Sequence, residues 1–246
     1  NLGQHGYPEG RFRMRLLVIS PSWLRTFWNG GKTLAPPMCL PVLASLTPPG
    51  VEIHLVDENV EVVDLAEPAD LVAITCMTAS APRGYEIADH FRARGVPVVM
   101  GGMHPSALPQ EASEHADAVV IGEAENQWPR VFADFAAGRP QRFYRTEQRP
   151  ELKDLPIPRR DLLRTERYLT VNLVQTARGC PHGCSFCSVT PTFGRRYRFR
   201  PVPEVIEELL SLRARWVGFT DDNIVACGGR ARQLFEALVP LNLQWV

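Results

Sequence analysis

The sequence predicts an α/β protein that begins with an open, doubly wound parallel sheet of Rossmann-like type. Short apolar runs alternate with helical patterns at the spacing of strand–helix–strand units. The runs are apolar throughout rather than alternating, as in strands covered on both faces. With 246 residues, 45% of them hydrophobic, the chain suffices for one large domain or two ordinary ones.

The first domain is predicted over residues 1–138. An apolar stretch over 40–46 follows the first strand, and helices are predicted over 82–94, ending at Gly95, and over 128–137, ending at Gly138. Its five strands share an apolar core and lie at 15–20, 51–57, 70–76, 96–102 and 116–122.

Residues 139–170 are rich in Pro, Arg and acidic residues with weak periodicity, and we interpret them as a linker packed over a surface. A second alternating unit follows over 171–246. Three parallel strands and two helices do not close a barrel, so we expect this unit to be the first part of a larger domain. Its predicted elements are strands at 172–177, 215–220 and 243–246, and helices at 203–212 and 230–241.

Charge and hydropathy exclude several functional classes. Lys plus Arg and Asp plus Glu both number 27, which gives no reason to expect nucleic acid or a membrane surface as main partner. No apolar run approaches the roughly 20 residues of a spanning helix. No export signal is recognisable, although the chain does not begin with Met. Three cysteines cluster while three are scattered, which favours a reducing, cytoplasmic compartment.

The clustered cysteines are Cys180, Cys184 and Cys187. Three thiolates can hold three irons of a [4Fe–4S] cluster and leave the fourth open to a small molecule. Zinc is an alternative, but it requires a fourth ligand, and His182 is too close in sequence to complete a tetrahedron easily. A chance grouping of core cysteines is a second alternative.

The Cys-x-x-x-Cys-x-x-Cys pattern after a strand, with Phe186 before the last Cys, resembles the radical S-adenosylmethionine (SAM) superfamily. The resemblance implies a partial (β/α) barrel in which the open iron chelates SAM. An electron from the cluster then breaks a sulfur–carbon bond and yields a 5′-deoxyadenosyl radical. Phe186 is expected near the adenine, and Gly179 and Gly183 suit a loop that wraps closely around a cluster.

Asp221, Asp222 and Asn223 end the next predicted strand. Superfamily members often have Gly-Gly-Glu there, whereas an acidic version occurs in members with a cobalamin domain. The resemblance implies that this segment contacts the SAM amino group; the alternative is an ordinary turn with a capping role. An arginine within residues 194–201 is a candidate for binding an anionic substrate or the SAM carboxylate, or this segment is a solvated loop.

The first domain lacks both the Gly-x-Gly-x-x-Gly turn and the P-loop pattern. Ligands of doubly wound sheets bind at the carboxyl ends of the strands. Three such ends read TCMTAS, GGMHPSALP and GEAE, and before a radical SAM motif they resemble the cobalamin-binding domain of cobalamin-dependent radical SAM enzymes. The predicted cobalamin contacts are Thr75, Thr78, Ser80, Gly101, Gly102, His104, Gly122 and Glu123.

One departure from that family concerns the lower face of cobalt. Many cobalamin domains carry Asp-x-His-x-x-Gly after the first strand, whereas SPSWLRTFWNGG here contains no histidine. Histidine ligation from this loop is therefore excluded, and the lower face is expected to be open or to face another group. We favour His104 as a rim histidine bonded to backbone or to a cofactor side chain over direct ligation of cobalt.

The favoured function is that of a class B radical SAM methyltransferase, which moves a methyl group from methylcobalamin to an unactivated carbon after hydrogen abstraction. Expected partners are a small-molecule or peptide substrate and an electron donor such as flavodoxin or ferredoxin. One alternative is a radical SAM cyclase or rearrangement enzyme that uses cobalamin without methyl transfer. Another is a non-catalytic cobalamin-binding module.

Overall fold

The computed structural model describes residues 14–22, 33–145 and 148–246. The first domain is a six-stranded, wholly parallel sheet, which confirms the predicted fold class. Its elements in chain order are β1 (Arg15–Ser20), α1 (Cys39–Leu46), β2 (Glu52–Asp57), β3 (Leu71–Thr75), α2 (Ala81–Ala93), β4 (Val98–Gly101), α3 (Met103–Ala107), α4 (Pro109–His115), β5 (Ala118–Ile121), α5 (Trp128–Ala136) and β6 (Phe143–Arg145). The strand order is β2-β1-β3-β4-β5-β6.

Both faces of this sheet are covered, which explains why its strands are apolar without alternation. Successive side chains of a strand point to opposite faces. Leu16 and Val18 of β1 therefore pack with Trp128 of α5 on one face. Leu17 and Ile19 pack with α2 on the other face.

The segment interpreted as a linker contributes β6, the sixth strand, at the edge of the sheet. Tyr144 is fully buried and its hydroxyl donates to Asp134 of α5 over 3.0 Å. Tyr168 is also buried and donates to Asp57 at the end of β2 over 3.0 Å. A three-residue edge strand is too short to show a period, which is why the pattern did not predict it. The boundaries at 138 and 170 remain predictions.

The second unit contains a three-stranded parallel sheet of order β11-β10-β7, as expected. The predicted strand 172–177 is divided, because the chain leaves the sheet after two residues and pairs elsewhere as β8, antiparallel to β9. The elements are β7 (Leu173–Val174), β8 (Ala177–Arg178), α6 (Val189–Phe193), β9 (Arg198–Phe199), α7 (Val202–Leu212), β10 (Trp216–Phe219), α8 (Gly228–Leu238) and β11 (Gln244–Trp245).

Helices α7 and α8 bury Val205, Leu209 and Leu234 against β7 and β10. Trp245 on the edge strand β11 stacks on Phe235 with 5.5 Å between ring centroids. Across the described ranges, none of the helices combines the length and apolar character that crossing a bilayer requires.

Candidate functional site

A cavity of about 520 Å³ lies where the carboxyl edge of the six-stranded sheet meets the second unit. The second unit contributes Gln175, Arg178, Phe193 and Thr220 to its wall. Arg178 and Phe193 flank the cysteine loop, so one cavity adjoins both regions that the sequence singled out. Of the predicted cobalamin contacts, the cavity wall includes Thr75, Ser80, Gly101, Gly102, Gly122 and Glu123.

An apolar arm of this cavity extends between the sheet and helix α1. Val42 and Leu43 of α1 form one wall, and Trp128 of α5 forms another. The Trp128 ring nitrogen donates to Thr47 Oγ1 over 2.9 Å, which fixes the indole at the wall. The sequence analysis missed these residues as a binding surface, because their apolar pattern equally predicts a core-facing helix.

Gly102 is required by backbone geometry at the rim. Its φ of +96° belongs to the region that favours glycine, and a Cβ there would meet the Cys76 carbonyl oxygen at 2.8 Å. Gly101 next to it would tolerate a Cβ, since the nearest atoms are 3.7 Å away. The two glycines bring bare backbone to the edge of the cavity, where a large flat ligand can approach.

His104 and Thr78 are not in the cavity wall. The His104 ring is 6% exposed, and its Nε2 lies 3.0 Å from the Tyr85 hydroxyl and 3.1 Å from Glu111 Oε1. Its Nδ1 lies 3.3 Å from Thr78 Oγ1. Protein side chains thus occupy both ring nitrogens, where we expected backbone or a cofactor side chain. Residues 23–32, which form most of the histidine-free stretch after β1, lie outside the described residues.

Backbone hydrogen bonds tie the start of the cysteine loop to Gly194 and form a turn within the loop. The Cys180 amide donates to the Gly194 carbonyl over 3.3 Å, and the Cys187 amide donates to the Cys184 carbonyl over 3.1 Å. Gly179 has φ +87°, and a Cβ there would lie 2.6 Å from the Arg196 carbonyl oxygen. The loop therefore lies tightly against residues 193–196, which accounts for the glycine at 179, while the wrapping of the loop around a cluster stays a prediction.

The three thiols fit a cluster by their chemistry and by their position on one short loop. All are free, and soft thiolates on one short loop suit iron–sulfur binding. In the part of the chain that the structure describes, however, His, Cys, Asp and Glu side chains do not converge in threes around a metal position. Phe186, expected near the adenine, is 89% exposed.

The end of β10 adjoins the start of the cysteine loop. Burial raises the pKa of Asp221, whose carboxylate accepts hydrogen bonds from Thr176. Asp222 reaches the surface, and partial loss of water raises its pKa, while a bond from the Gly179 amide acts in the opposite direction. The Asn223 carbonyl accepts from the Tyr197 hydroxyl over 2.8 Å. Asp221 thus has a structural partner, whereas Asp222 lies beside the residue that precedes Cys180.

The arginines of residues 194–201 divide into two kinds. Arg195 and Arg196 are exposed, as a solvated loop requires. Arg198 and Arg200 are buried and paired with Glu123 and Glu208, so the solvated-loop alternative is wrong for these two. Glu208 is only 8 positions from Arg200, whereas Glu123 is 75 positions from Arg198, so the second pair depends on the packing of the two units.

Comparison with known proteins agrees with this geometry. The family model described as "B12 binding domain" matches residues 32–132. Bacteriochlorophyllide d C-8(2)-methyltransferase of Chlorobaculum tepidum is 36% identical over 221 residues, which are 82% of this chain and 48% of that protein. The C-12(1)-methyltransferase of the same organism is 26% identical over 249 residues, 96% of this chain and 55% of that protein.

A relative with a different activity is the anaerobic magnesium-protoporphyrin IX monomethyl ester cyclase of Rubrivivax gelatinosus, 28% identical over 84% of this chain and 44% of that protein. Among solved structures, the radical SAM methyltransferase TsrM from Kitasatospora setae, with cobalamin and a [4Fe–4S] cluster bound, superimposes with a TM-score of 0.70. It is 18% identical, and the match covers 94% of this chain and 51% of that one. The chain spans about half the length of the relatives it matches.

Proposed function

Because the chain belongs to the family that joins a cobalamin-binding domain to a radical SAM domain, we propose that the protein is a cobalamin-dependent radical SAM methyltransferase. One observation carries the proposal: the glycine rim of the first sheet and the residues flanking the cysteine loop line the same cavity. Two cofactors held at these places would face each other across a short gap.

The first domain would hold cobalamin at its carboxyl edge. Gly101, Gly102 and Gly122 let the backbone approach the corrin, and Thr75 and Ser80 supply hydroxyl groups at the same edge. The apolar arm beside α1 suits the heteroaromatic base that ends the cofactor's nucleotide tail, since burial of apolar surface stabilises it there. We retain Glu123, Thr78 and His104 as weaker proposed contacts, because all three have protein partners.

The second unit would hold the [4Fe–4S] cluster and SAM. Cys180, Cys184 and Cys187 are its proposed iron ligands, and the open iron would take SAM. Asp222 and the backbone of Asn223, which follow β10, would accept hydrogen bonds from the SAM amino group, and Phe186 would pack on adenine when SAM is bound. When bound, the cluster and cobalamin supply the electron and the methyl group for the reaction.

The protein's own contribution is positioning and exclusion of water. The cavity lies between two packed units, so a substrate held there is confined between both cofactor sites. Hydrogen abstraction from carbon requires no acid–base pair, and the described residues of the cavity wall include no histidine.

An external electron donor such as flavodoxin or ferredoxin is part of the proposal, since a cluster of this kind must be reduced before each cleavage of SAM. The described cysteines are all free, which suits the reducing conditions of the cytoplasm.

The test uses the full-length protein, reconstituted anaerobically with iron, sulfide and cobalamin. With SAM and a reductant, we expect release of 5′-deoxyadenosine and a product heavier than the substrate by one methyl group. The Cys184→Ala variant should release none. Release of 5′-deoxyadenosine with a product that gains no methyl group would favour the cyclase or rearrangement activity, for which the Rubrivivax relative provides a precedent. If the protein bound cobalamin but released no 5′-deoxyadenosine, the result would favour a non-catalytic cobalamin-binding module.

A further inference from the structure

Two arginines face each other across the hairpin that carries the cysteine loop. Arg178 of β8 and Arg198 of β9 are register partners in the antiparallel ladder, and both side chains are buried. Like charges directly opposite each other destabilise a strand pair. A buried charge without a partner is strongly destabilising, so this hairpin requires carboxylates to be stable.

Those carboxylates come from the first domain. Glu123 and Glu125 follow β5, and both are buried. Glu123 lies 2.6 Å from Arg198 Nη2 and 2.8 Å from Arg178 Nη1, so one carboxylate joins both strands. Glu125 lies 2.5 Å from Arg178 Nη1. Two negative charges thus balance two positive charges, and charge-assisted bonds of this kind are the strong ones.

The four-residue cluster spans the distance between the two proposed cofactor sites. Glu123 follows Gly122 of the cavity rim. Arg178 immediately precedes Gly179 and Cys180, and its Nε donates to Gln175 over 2.6 Å. Because β8 and β9 form a separate two-stranded sheet, backbone hydrogen bonds to the six-stranded sheet do not hold this hairpin in place.

We propose that Glu123 and Glu125 are positioning residues, which hold the cysteine-loop hairpin at a fixed distance from the cobalamin rim through Arg178 and Arg198. The cofactor part of this inference rests on the proposed function, whereas the holding of the hairpin does not. Glu123 then serves the reaction by fixing the loop, since both of its oxygens bond arginine.

The first experiment needs no cofactor. Hydrogen–deuterium exchange of the full-length protein is measured at the amides of Cys180 and Arg200, which are bonded to Gly194 and Thr176. Glu123→Gln should speed exchange at both about tenfold or more, because it leaves a buried arginine charge unbalanced. The matched control is Glu151→Gln, which breaks the exposed pair with Arg196 near the same loop and should change little. Parent-like exchange in Glu123→Gln would overturn the proposal.

A double variant separates charge balance from simple loss of packing. Glu123→Gln combined with Arg198→Met removes one charge of each sign and leaves the Arg178–Glu125 pair. Exchange in the double variant should be slower than in Glu123→Gln alone. If exchange in the double variant were equally fast or faster, Glu123 would not act by balancing the charge of Arg198, and the proposal would fail.

The second experiment measures the distance itself. In reconstituted protein, pulsed EPR detects the magnetic interaction between the reduced cluster and cob(II)alamin. The parent should give a narrow distance distribution and Glu123→Gln a broader one. Because the interaction arises only in molecules that carry both centres, weaker cobalamin uptake by the variant would lower the signal without broadening the distribution. An unchanged narrow distribution would contradict the positioning role. A parent that takes up neither cofactor would refute the proposed function, while the exchange experiment would still decide whether Glu123 holds the hairpin.

Discussion

The hydroxyl of Thr176 donates to the Asp221 carboxylate over 2.9 Å, and the Thr176 amide donates to the same carboxylate over 3.0 Å. This pair joins the end of β10 to the segment between β7 and β8. It fixes the predicted SAM-binding end of one strand against the start of the cysteine loop. The pair also distinguishes two neighbouring acids that the sequence presents as equivalent.

Replacement of Asp221 by Ala should destabilise the protein more than replacement of Asp222 by Ala. The first change leaves two donors of buried Thr176 without an acceptor, at a cost of about 1–3 kcal/mol, whereas Asp222 reaches the surface. Urea unfolding of both variants measures the difference. The effect on SAM affinity should be the opposite: when both variants are folded, titration should show that Asp222→Ala binds SAM more weakly than Asp221→Ala. Equal stability of the two variants would contradict the structural role of Asp221.

Loss of any one clustered cysteine should abolish the iron–sulfur chromophore. A thiolate is removed in each of the variants Cys180→Ala, Cys184→Ala and Cys187→Ala. Reconstituted protein should therefore lose the absorbance at about 400 nm that arises from thiolate–iron charge transfer. Cys227→Ala is the control and should retain it. Retention of the band in all three variants would defeat the assignment, and bound zinc without iron would favour the alternative metal.

Gly102→Ala should impair the first domain, whereas Gly101→Ala should be tolerated. At Gly102 a Cβ combines a left-handed backbone with an approach of 2.8 Å to a carbonyl oxygen, which we expect to cost about 1–3 kcal/mol. At Gly101 the nearest neighbours are at ordinary contact distance. Thermal unfolding of the two variants provides the comparison. A Gly102→Ala variant as stable as Gly101→Ala would show that the rim can shift to admit a side chain.

The stability contributed by Asp57 should fall as pH rises. Burial raises the pKa of this carboxyl above its ordinary value of 3.8, although bonds from Asn59 and Tyr168 act against the shift. A raised pKa in an acid means that its contribution is fully present below pH 3.8 and is lost as pH passes the folded value. The Asp57→Asn variant has no ionisable group at this position, so its stability should not decrease in this way as pH rises.

The check is the melting temperature of parent and Asp57→Asn between about pH 4 and about pH 8. The advantage of the parent over the variant should shrink toward neutral pH. Tyr168→Phe removes a donor to the ionised carboxylate, so its deficit relative to the parent should grow over the same range. If the melting temperature of the parent rose relative to that of Asp57→Asn as pH increased, the assigned direction of the pKa shift would be wrong.

Local patterns predicted most of the fold because its strands are buried on both faces. The run at 15–20 is strand β1, and the helix expected at 82–94 is α2, which ends one residue earlier. The prediction missed β6 and the departure of β8 from the second sheet. Both depend on pairing with a distant strand, and two or three residues have no period of their own.

The candidate site was predicted by residue type, and its geometry was not. Glycines at strand ends and three clustered thiols follow from the chemistry of the loops alone. Whether His104 faces a ligand or Tyr85 depends on how α2 and α3 pack, and the structure directs it to Tyr85 and Glu111.

The sequence by itself determined the alternation of strands and helices, the rim glycines and the cysteine spacing, since each is a property of a few consecutive residues. Only the tertiary structure decided that Glu123 pairs with Arg178 and Arg198, and that α1 lines the cavity. Charges 55 and 75 positions apart meet through the packing of two units, and no local pattern records which buried carboxylate balances which arginine.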